Sequence, residues 1–389
     1  MDRLLSIRDA ILAELRPAPS VEVSLADAQG RCLAAPVRAR IAAPPRTCSA
    51  MDGYAVRAAD VPGPAALRVA QAIYAGDLPS TPLRPGEAAR IYTGAPLPEG
   101  ADAVVREEAV EVEGDRVRFR AAAQPGENVR SAGEDVEEGG LALDAGVRVG
   151  ARQVALLTAV GAERVPVHRA PRVVVIATGD EVVSGRTPDS NGPAVVALLR
   201  AAGAEASLRH VGDDLDAVAA ALGDGLDRAD AVITIGGVSI GARDHVPAAL
   251  ALLGAVVRVH GVPMKPGKPF LFALRDGRPV FGLPGSPSAC LVAFEVFVRP
   301  AVLALAGASR RLRPTLRLRL AEAAAGKPGR ARLLWARLEP DGRVRPVGRD
   351  AAQVRGPALA DALLLVPAGA GDLPAGGEVD AWLLGDDVP

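Results

Sequence analysis

Apolar side chains at Leu4, Ile7, Ile11, Leu12 and Leu15 recur at the spacing of one helical face, and Pro17 and Pro19 follow as stop signals. The chain therefore opens with an amphipathic helix over 4–15. From residue 37 to residue 120 the pattern shortens to strand-like pieces at 67–70, 88–92, 103–106 and, in strict alternation, 116–120. Turns such as Glu113-Gly114-Asp115 separate them, which predicts a small β-rich domain. Residues 125–170 are mixed, with a short helix expected over 154–160 ahead of Pro166 and packing expected beside the opening helix.

From Pro171 onward strands and helices alternate. Strands are predicted at 173–177, around Ala206, and at 231–235, 256–260, 270–274 and 279–283; helices are predicted at 193–202, 214–226, 245–253 and 288–305. Such alternation implies a doubly wound, mostly parallel sheet covered by helices on both faces. After Pro314 alternating pieces return at 316–320, 332–338 and 379–384, with Asp341-Gly342 as a hairpin turn, so a terminal β-barrel or sandwich is expected. The expected fold class is thus multidomain α/β: residues 37–124 form the small β-rich domain, 171–310 the central α/β domain, 311–389 the C-terminal β-barrel-like domain, and 1–36 with 125–170 a linking α+β domain.

Composition narrows the class. A chain of 389 residues with 49% hydrophobic and 23% charged content has the make-up of soluble multidomain proteins, and 3% aromatics leave Ala, Val and Leu to build the core. Forty-five basic against 46 acidic residues give a net charge of -1, so no global field draws the chain to nucleic acid or to an anionic membrane, and any anion must be held locally. Cys32, Cys48 and Cys290 are odd in number and far apart, which fits neither a disulfide framework nor a zinc pair. The N-terminus carries no leader-like pattern and no uninterrupted apolar run looks long enough to span a bilayer, so a cytoplasmic protein is expected.

The densest chemistry lies in three turns: Gly236-Gly237-Val238-Ser239-Ile240-Gly241-Ala242-Arg243-Asp244, then Lys265-Pro266-Gly267-Lys268-Pro269, then Gly282-Leu283-Pro284-Gly285-Ser286-Pro287. Glycine lets backbone N–H groups approach an anion, proline stiffens the turns, and Lys265 and Lys268 add positive charge. Ser286 and Pro287 suit the N-cap and first position of the helix that follows, which would aim N–H groups into the same crevice. Acidic groups sit at two strand ends, in Thr178-Gly179-Asp180-Glu181 and at Asp244. Carboxylates beside an anion cradle point to a bridging Mg²⁺ or to a general base, whereas each string alone is also explained by capping and turn formation. His168, His210, His245 and His260 lack a shared-metal spacing, no Gly-x-Ser-x-Gly elbow is present, the third turn lacks a full P-loop pattern, and no G-x-G-x-x-G follows a strand.

Further loop clusters complete a set: Ser49-Ala50-Met51-Asp52-Gly53-Tyr54-Ala55, Thr93-Gly94-Ala95-Pro96, Gly126-Glu127-Asn128, Gly133-Glu134-Asp135 and Asp189-Ser190-Asn191. With the turns above, and in this order, these strings resemble the molybdopterin molybdenumtransferase family, known as MoeA in bacteria and as the E domain of gephyrin in animals, over nearly the whole chain. The resemblance implies a four-part subunit in an elongated homodimer, its active site shared between the central domain of one chain and the small β domain of the other. It implies insertion of molybdenum from molybdate into adenylylated molybdopterin, with Mg²⁺-dependent release of AMP, and a molybdopterin adenylyltransferase as partner protein. Carried over by position, the family's functional residues fall on Asp52, Thr93, Asp135, Glu181, Asp213 (with Asp214 beside it), Asp244, Lys265, Lys268, Pro284 and Pro287. Glu181 and Asp244 are the implied metal ligands. Gly236, Gly237, Ser239, Gly285 and Ser286 join the two lysines as expected substrate contacts. Ser286 departs from the family's usual Asn, Cys48 and Arg46 replace bulkier apolar residues, and Gln353-Val354-Arg355-Gly356 matches only loosely. Two other readings stand beside this one: a nucleotidyl transferase or pyrophosphatase built on residues 171–305, and a scaffold binding a partner peptide.

Overall fold

A computed structural model describes residues 3–239, 241, 244–348 and 351–385; Ile240, Ala242 and Arg243 of the first glycine turn lie outside the described residues. At its centre is a six-stranded sheet in the order Glu205–Val211, Arg172–Thr178, Ala231–Ile235, Arg278–Leu283, Leu271–Arg275, Val256–His260. The first three joints are parallel and the last two antiparallel. The strands alternate as period-2 geometry requires: Val173, Val175, Ile233 and Phe281 enter one core, and Val174, Ile176, Val232 and Val280 enter the other. Helix Leu215–Arg228 covers the second face, while Asn191–Ala201 and the long helical run Pro287–Leu305 cover the first.

That run is 19 residues long and passes by length and composition for a membrane span, although Glu295 and Arg299 interrupt its apolar sequence, so the expectation of no uninterrupted apolar span stands. With 89% of it buried against the sheet and the opening helix, it is the core helix of this domain. Its middle, Phe294–Val298, widens to π-helical geometry around Glu295, whose carboxylate accepts from Arg313 Nε at 3.0 Å. The opening helix Arg3–Ala13 also differs from expectation. Leu4, Ile11 and Leu15 join the central core beside Phe297 and Val302, so this helix packs on the central domain rather than beside residues 125–170.

A second core gathers Ala28, Leu33, Val37, Val149, Leu157 and Val165, with strand Ser20–Ser24 antiparallel to Arg164–His168. The small β domain is a six-stranded sheet whose edge hairpin, Val110–Glu113 with Arg116–Phe119, turns at Gly114 as predicted. Strand Gly53–Val56 lies inside it, hidden in the sequence by the Ser49–Ala55 loop chemistry. In the C-terminal domain the strands Ala331–Leu338, Ala362–Val366, Glu378–Leu383 and Thr315–Arg319 form one curled sheet. A bridge from Leu320 to Val344, on the strand that pairs back to Ala331–Leu338, brings its far end round into a half-barrel.

Candidate functional site

In a doubly wound sheet the crevice lies where neighbouring strands send their connections to opposite sides. Here that point falls between Arg172–Thr178 and Ala231–Ile235, and a cavity of about 230 Å³ opens at their carboxyl ends. Glu181, Asp213, Asp244, Gly236, Gly237 and Gly285 all line it. The strand ends are tied together by Thr178 Oγ1, which donates to Ile235 O at 3.3 Å. Gly236 and Gly237 have φ of +84° and +64°, and a Cβ on either would meet Thr178 Oγ1 at 3.0 and 3.1 Å, so only glycine makes this turn without displacement. Asp244 Oδ2 accepts from Gly241 N at 2.6 Å, which folds the glycine turn back on itself. Asp213 N donates to Asp180 Oδ1 at 3.1 Å, bracing two of the acidic loops. Its neighbour Asp214 is the N-cap of the helix Leu215–Arg228, accepting from Ala217 N at 2.8 Å; Asp213 faces the cavity and Asp214 does not. Among the described residues no three carboxylate, imidazole or thiol groups converge as a ready-made metal cluster.

The lysines stand in a second cavity, of about 330 Å³, on the other side of the 284–286 turn. Lys265, Lys268, Pro284 and Ser286 line it with Trp335 of the half-barrel. The single crevice expected from the sequence is thus two adjoining pockets: Gly285 faces the acidic one, Pro284 and Ser286 the basic one. The half-barrel enters because the short strand Met264–Lys265 pairs in parallel with Ala331 and Arg332, so the lysine loop is an edge of the C-terminal sheet. This pairing also delivers Lys327, Arg330 and Arg332 to the basic pocket. None of these five cations forms an ion pair with another described residue, an arrangement whose mutual repulsion is relieved by an anion. Sequence reasoning missed all three half-barrel cations, because nothing local to 327–332 marks them.

Ser286 occupies the N-cap position with Pro287 at the first helical position, but its side chain makes no capping bond. The N–H of Ser288 is taken by Ala351 O at 2.9 Å, and Ser288 Oγ accepts from Trp335 Nε1 at 2.9 Å. Ser286 and Pro287 thus take the positions expected of them, while one amide of the helix start, that of Ser288, is taken by the half-barrel side. Ser239 stands exposed beyond the glycine turn.

Asp52 and Thr93 lie on the small β domain and line neither pocket. Both Thr93 N and Thr93 Oγ1 donate to Asp52 Oδ1 at 2.7 Å. The Thr93 amide first, then its hydroxyl, hold the exposed Asp52 carboxyl below its ordinary range against slight desolvation, with Arg90 helping. Asp135 accepts from Arg130 Nη2 at 2.9 Å. Cys290 is buried under the sheet and its thiol is pushed up to about 12 by burial, which makes it inert at neutral pH. Asn191, part of the Asp189-Ser190-Asn191 string but given no role from the sequence, donates through Nδ2 to Gly285 O at 2.7 Å and so holds the turn between the pockets.

Three known family regions match this chain in order: the MoeA N-terminal region (domains I and II) over residues 4–161, a probable molybdopterin binding domain over 174–304, and the MoeA C-terminal region (domain IV) over 317–384. The chain is 36% identical over 393 residues to molybdopterin molybdenumtransferase 2 of Mycobacterium tuberculosis, covering 96% of this chain and 97% of that one. It is 40% identical over 308 residues to the molybdopterin molybdenumtransferase of a Nostoc species, covering 75% and 71%. A solved MoeA molybdopterin biosynthesis protein from Pyrococcus horikoshii superposes with a TM-score of 0.86 at 26% identity over 99% of this chain and 100% of that one. The order of domains, the coverage end to end and the level of identity agree: the chain belongs to the molybdopterin molybdenumtransferase family.

Proposed function

We propose that the chain is a cytoplasmic homodimeric enzyme that inserts molybdenum from molybdate into adenylylated molybdopterin, with Mg²⁺-dependent hydrolysis of the adenylate releasing AMP. The observation that supports this most is the pair of oppositely charged pockets divided by the 284–286 turn in a member of this family. A tetrahedral oxyanion suits the basic pocket, where Lys265 and Lys268 stand with Lys327, Arg330 and Arg332. The adenylate's phosphate suits the acidic side, where the Gly236-Gly237 backbone approaches closely and Glu181, Asp213 and Asp244 wait.

The carboxylates fit a hard cation: Mg²⁺ is held through one or two carboxylates together with substrate phosphate, and an all-oxygen wall without a dense protein cage is what the acidic pocket offers. In this reading Glu181 and Asp244 would hold Mg²⁺, which when bound would offset phosphate charge and polarise the scissile bond. The remaining carboxylate surface orients a water for attack on the adenylate phosphorus and accepts its proton as the phosphoanhydride bond breaks and AMP leaves. The rigid Pro284–Pro287 wall keeps the reacting groups aligned across the two pockets. Asp52, Thr93 and Asp135 act from the partner's small β domain, with the two Thr93 hydrogen bonds orienting the Asp52 carboxylate. A molybdopterin adenylyltransferase supplies the substrate as protein partner. The test is incubation of purified protein with adenylylated molybdopterin, Mg²⁺ and molybdate: AMP and molybdenum cofactor are expected, and no AMP under these conditions overturns the reading.

A further inference from the structure

We propose that His210 is a positioning residue for this reaction: through Asp189 and Asn191 it sets the 284–286 turn that stands between the acidic and basic pockets. The inference rests on the proposed roles of those pockets. His210 lies near the end of strand Glu205–Val211, one strand away from the acidic cavity, and no site motif includes it. Its Nε2 is 2.9 Å from Asp189 Oδ2. An ionised carboxylate only accepts, so Nε2 carries the hydrogen.

The other oxygen of Asp189 is already engaged: Oδ1 accepts from Asn191 N at 3.0 Å and from Gly192 N at 2.8 Å. These bonds shape the first turn of helix Asn191–Ala201 and fix where the Asn191 side chain points. Asn191, itself only 8% exposed, donates to Gly285 O, and Gly285 lines the acidic pocket while its neighbours Pro284 and Ser286 line the basic one. The chain of contacts is therefore unbroken from an exposed imidazole to the wall dividing the two pockets.

Room for it is made deliberately narrow. A Cβ at Gly192 would stand 2.2 Å from Asp189 Oδ2 and 2.8 Å from Leu208 Cδ1, so the carboxylate is wedged against the helix start and has little freedom to find a substitute partner. The Asp189 side chain is 12% exposed with the imidazole in place, whereas the His210 side chain is itself 41% exposed and contributes to no hydrophobic cluster. Loss of the imidazole thus removes orientation while leaving packing intact.

The experiment measures AMP release by the full-length dimer together with amide hydrogen exchange. His210→Ala is expected to lower kcat roughly tenfold while KM for the adenylylated substrate stays within about twofold, the signature of misalignment rather than lost binding. His210→Gln, whose amide nitrogen reaches about as far as Nε2, is expected to restore most of the rate. Because both act through one turn, His210→Ala combined with Asn191→Ala is expected to lose no more than Asn191→Ala alone. Exchange at Asn191 and Gly192, whose N–H groups donate to Asp189, should rise in His210→Ala. Wild-type kcat in His210→Ala, no recovery with Gln, multiplying losses in the double variant, or unchanged exchange each overturns the inference. Should wild-type protein release no AMP, the exchange arm still decides the contact chain, and the failure belongs to the proposed reaction.

Discussion

The acidic and basic pockets share one wall yet are assembled by opposite means. The acidic pocket is made within one domain, by loops leaving adjacent strand ends, and several of its carboxylates are already tethered by backbone amides, as Asp244 is by Gly241 N and Asp189 by Asn191 N. The basic pocket is made between two domains, by a lysine loop paired into the half-barrel, and its cations have no ionic partner among the described residues. A tethered carboxylate is preorganised and loses little on receiving a ligand, whereas an unpartnered cation cluster is poised to gain from an anion. On the proposed function, the difference divides the tasks: orientation and hydrolysis on one side of the 284–286 turn, capture of an oxyanion on the other.

The most severe way to break that division is to remove one side at a time. Asp244→Asn should lower turnover by at least about 10²-fold with molybdate affinity unchanged, and Lys265→Ala should likewise abolish turnover, but through lost oxyanion binding. Circular dichroism should show both folded, and equilibrium binding of molybdate separates the two causes. Wild-type turnover in either variant would misplace the site. A mixed dimer of Asp52→Ala and Asp244→Asn subunits extends the comparison to the small β domain. Random pairing makes about half the dimers mixed, each with one intact shared site, so activity should recover to roughly a quarter of wild type. A mixture as inactive as its parents would confine the site to a single chain.

Arg332→Ala probes the half-barrel's share. It should raise the Kd for molybdate about tenfold, the range of one charge-assisted hydrogen bond, with AMP affinity unmoved, as measured by calorimetry. Equal affinity to wild type would leave the half-barrel outside the pocket's chemistry.

The smallest effect lies away from the site. Asp230 accepts from Arg169 Nη1 and Nη2 at 2.6 Å each and from Arg172 N at 2.7 Å, tying the chain into the start of the central sheet. Burial pushes its carboxyl up, but the Arg169 pair and the Arg172 amide outweigh this and leave it below its ordinary value. A depressed carboxyl adds stability that is present above the unfolded pKa of about 3.9 and fades as pH falls through the folded value. Asp230→Asn should therefore cost roughly 1.5–3 kcal/mol at pH 7 by denaturant melts and progressively less as acid protonates the wild type. A gap independent of pH would contradict the charge-based account.

Much of this architecture was legible beforehand, and the exceptions share a cause. Strands at 173–177 and 231–235 announce themselves as β-branched runs ending in glycine turns, and Pro287 marks a helix start by its own ring. The strand Ala362–Val366 passed unnoticed because a run of wholly buried apolar residues in an Ala-rich tail has no alternation to read. Glu181, Asp244 and the two lysines were read from the glycine and proline turns and the acidic strand ends, and Asp213 only through the resemblance; the structure puts the carboxylates and the lysines in adjoining pockets. Lys327, Arg330 and Arg332 were not found, since only the pairing of Met264–Lys265 with a strand more than sixty residues later carries them to the lysine loop. His210 was read only as one of four histidines without a shared-metal spacing; its partner, Asp189, lies across a parallel crossover that no local pattern reveals.

The proposed division of labour between the pockets is tested most directly by a crystal structure of the protein soaked with AMP, Mg²⁺ and molybdate, using molybdenum's anomalous signal. The account predicts the molybdenum peak among Lys265, Lys268 and Arg332, with the AMP phosphate beside Gly236, Gly237 and Asp244 across the 284–286 turn. Molybdenum in the acidic pocket, or both ligands on one side of that turn, would contradict it.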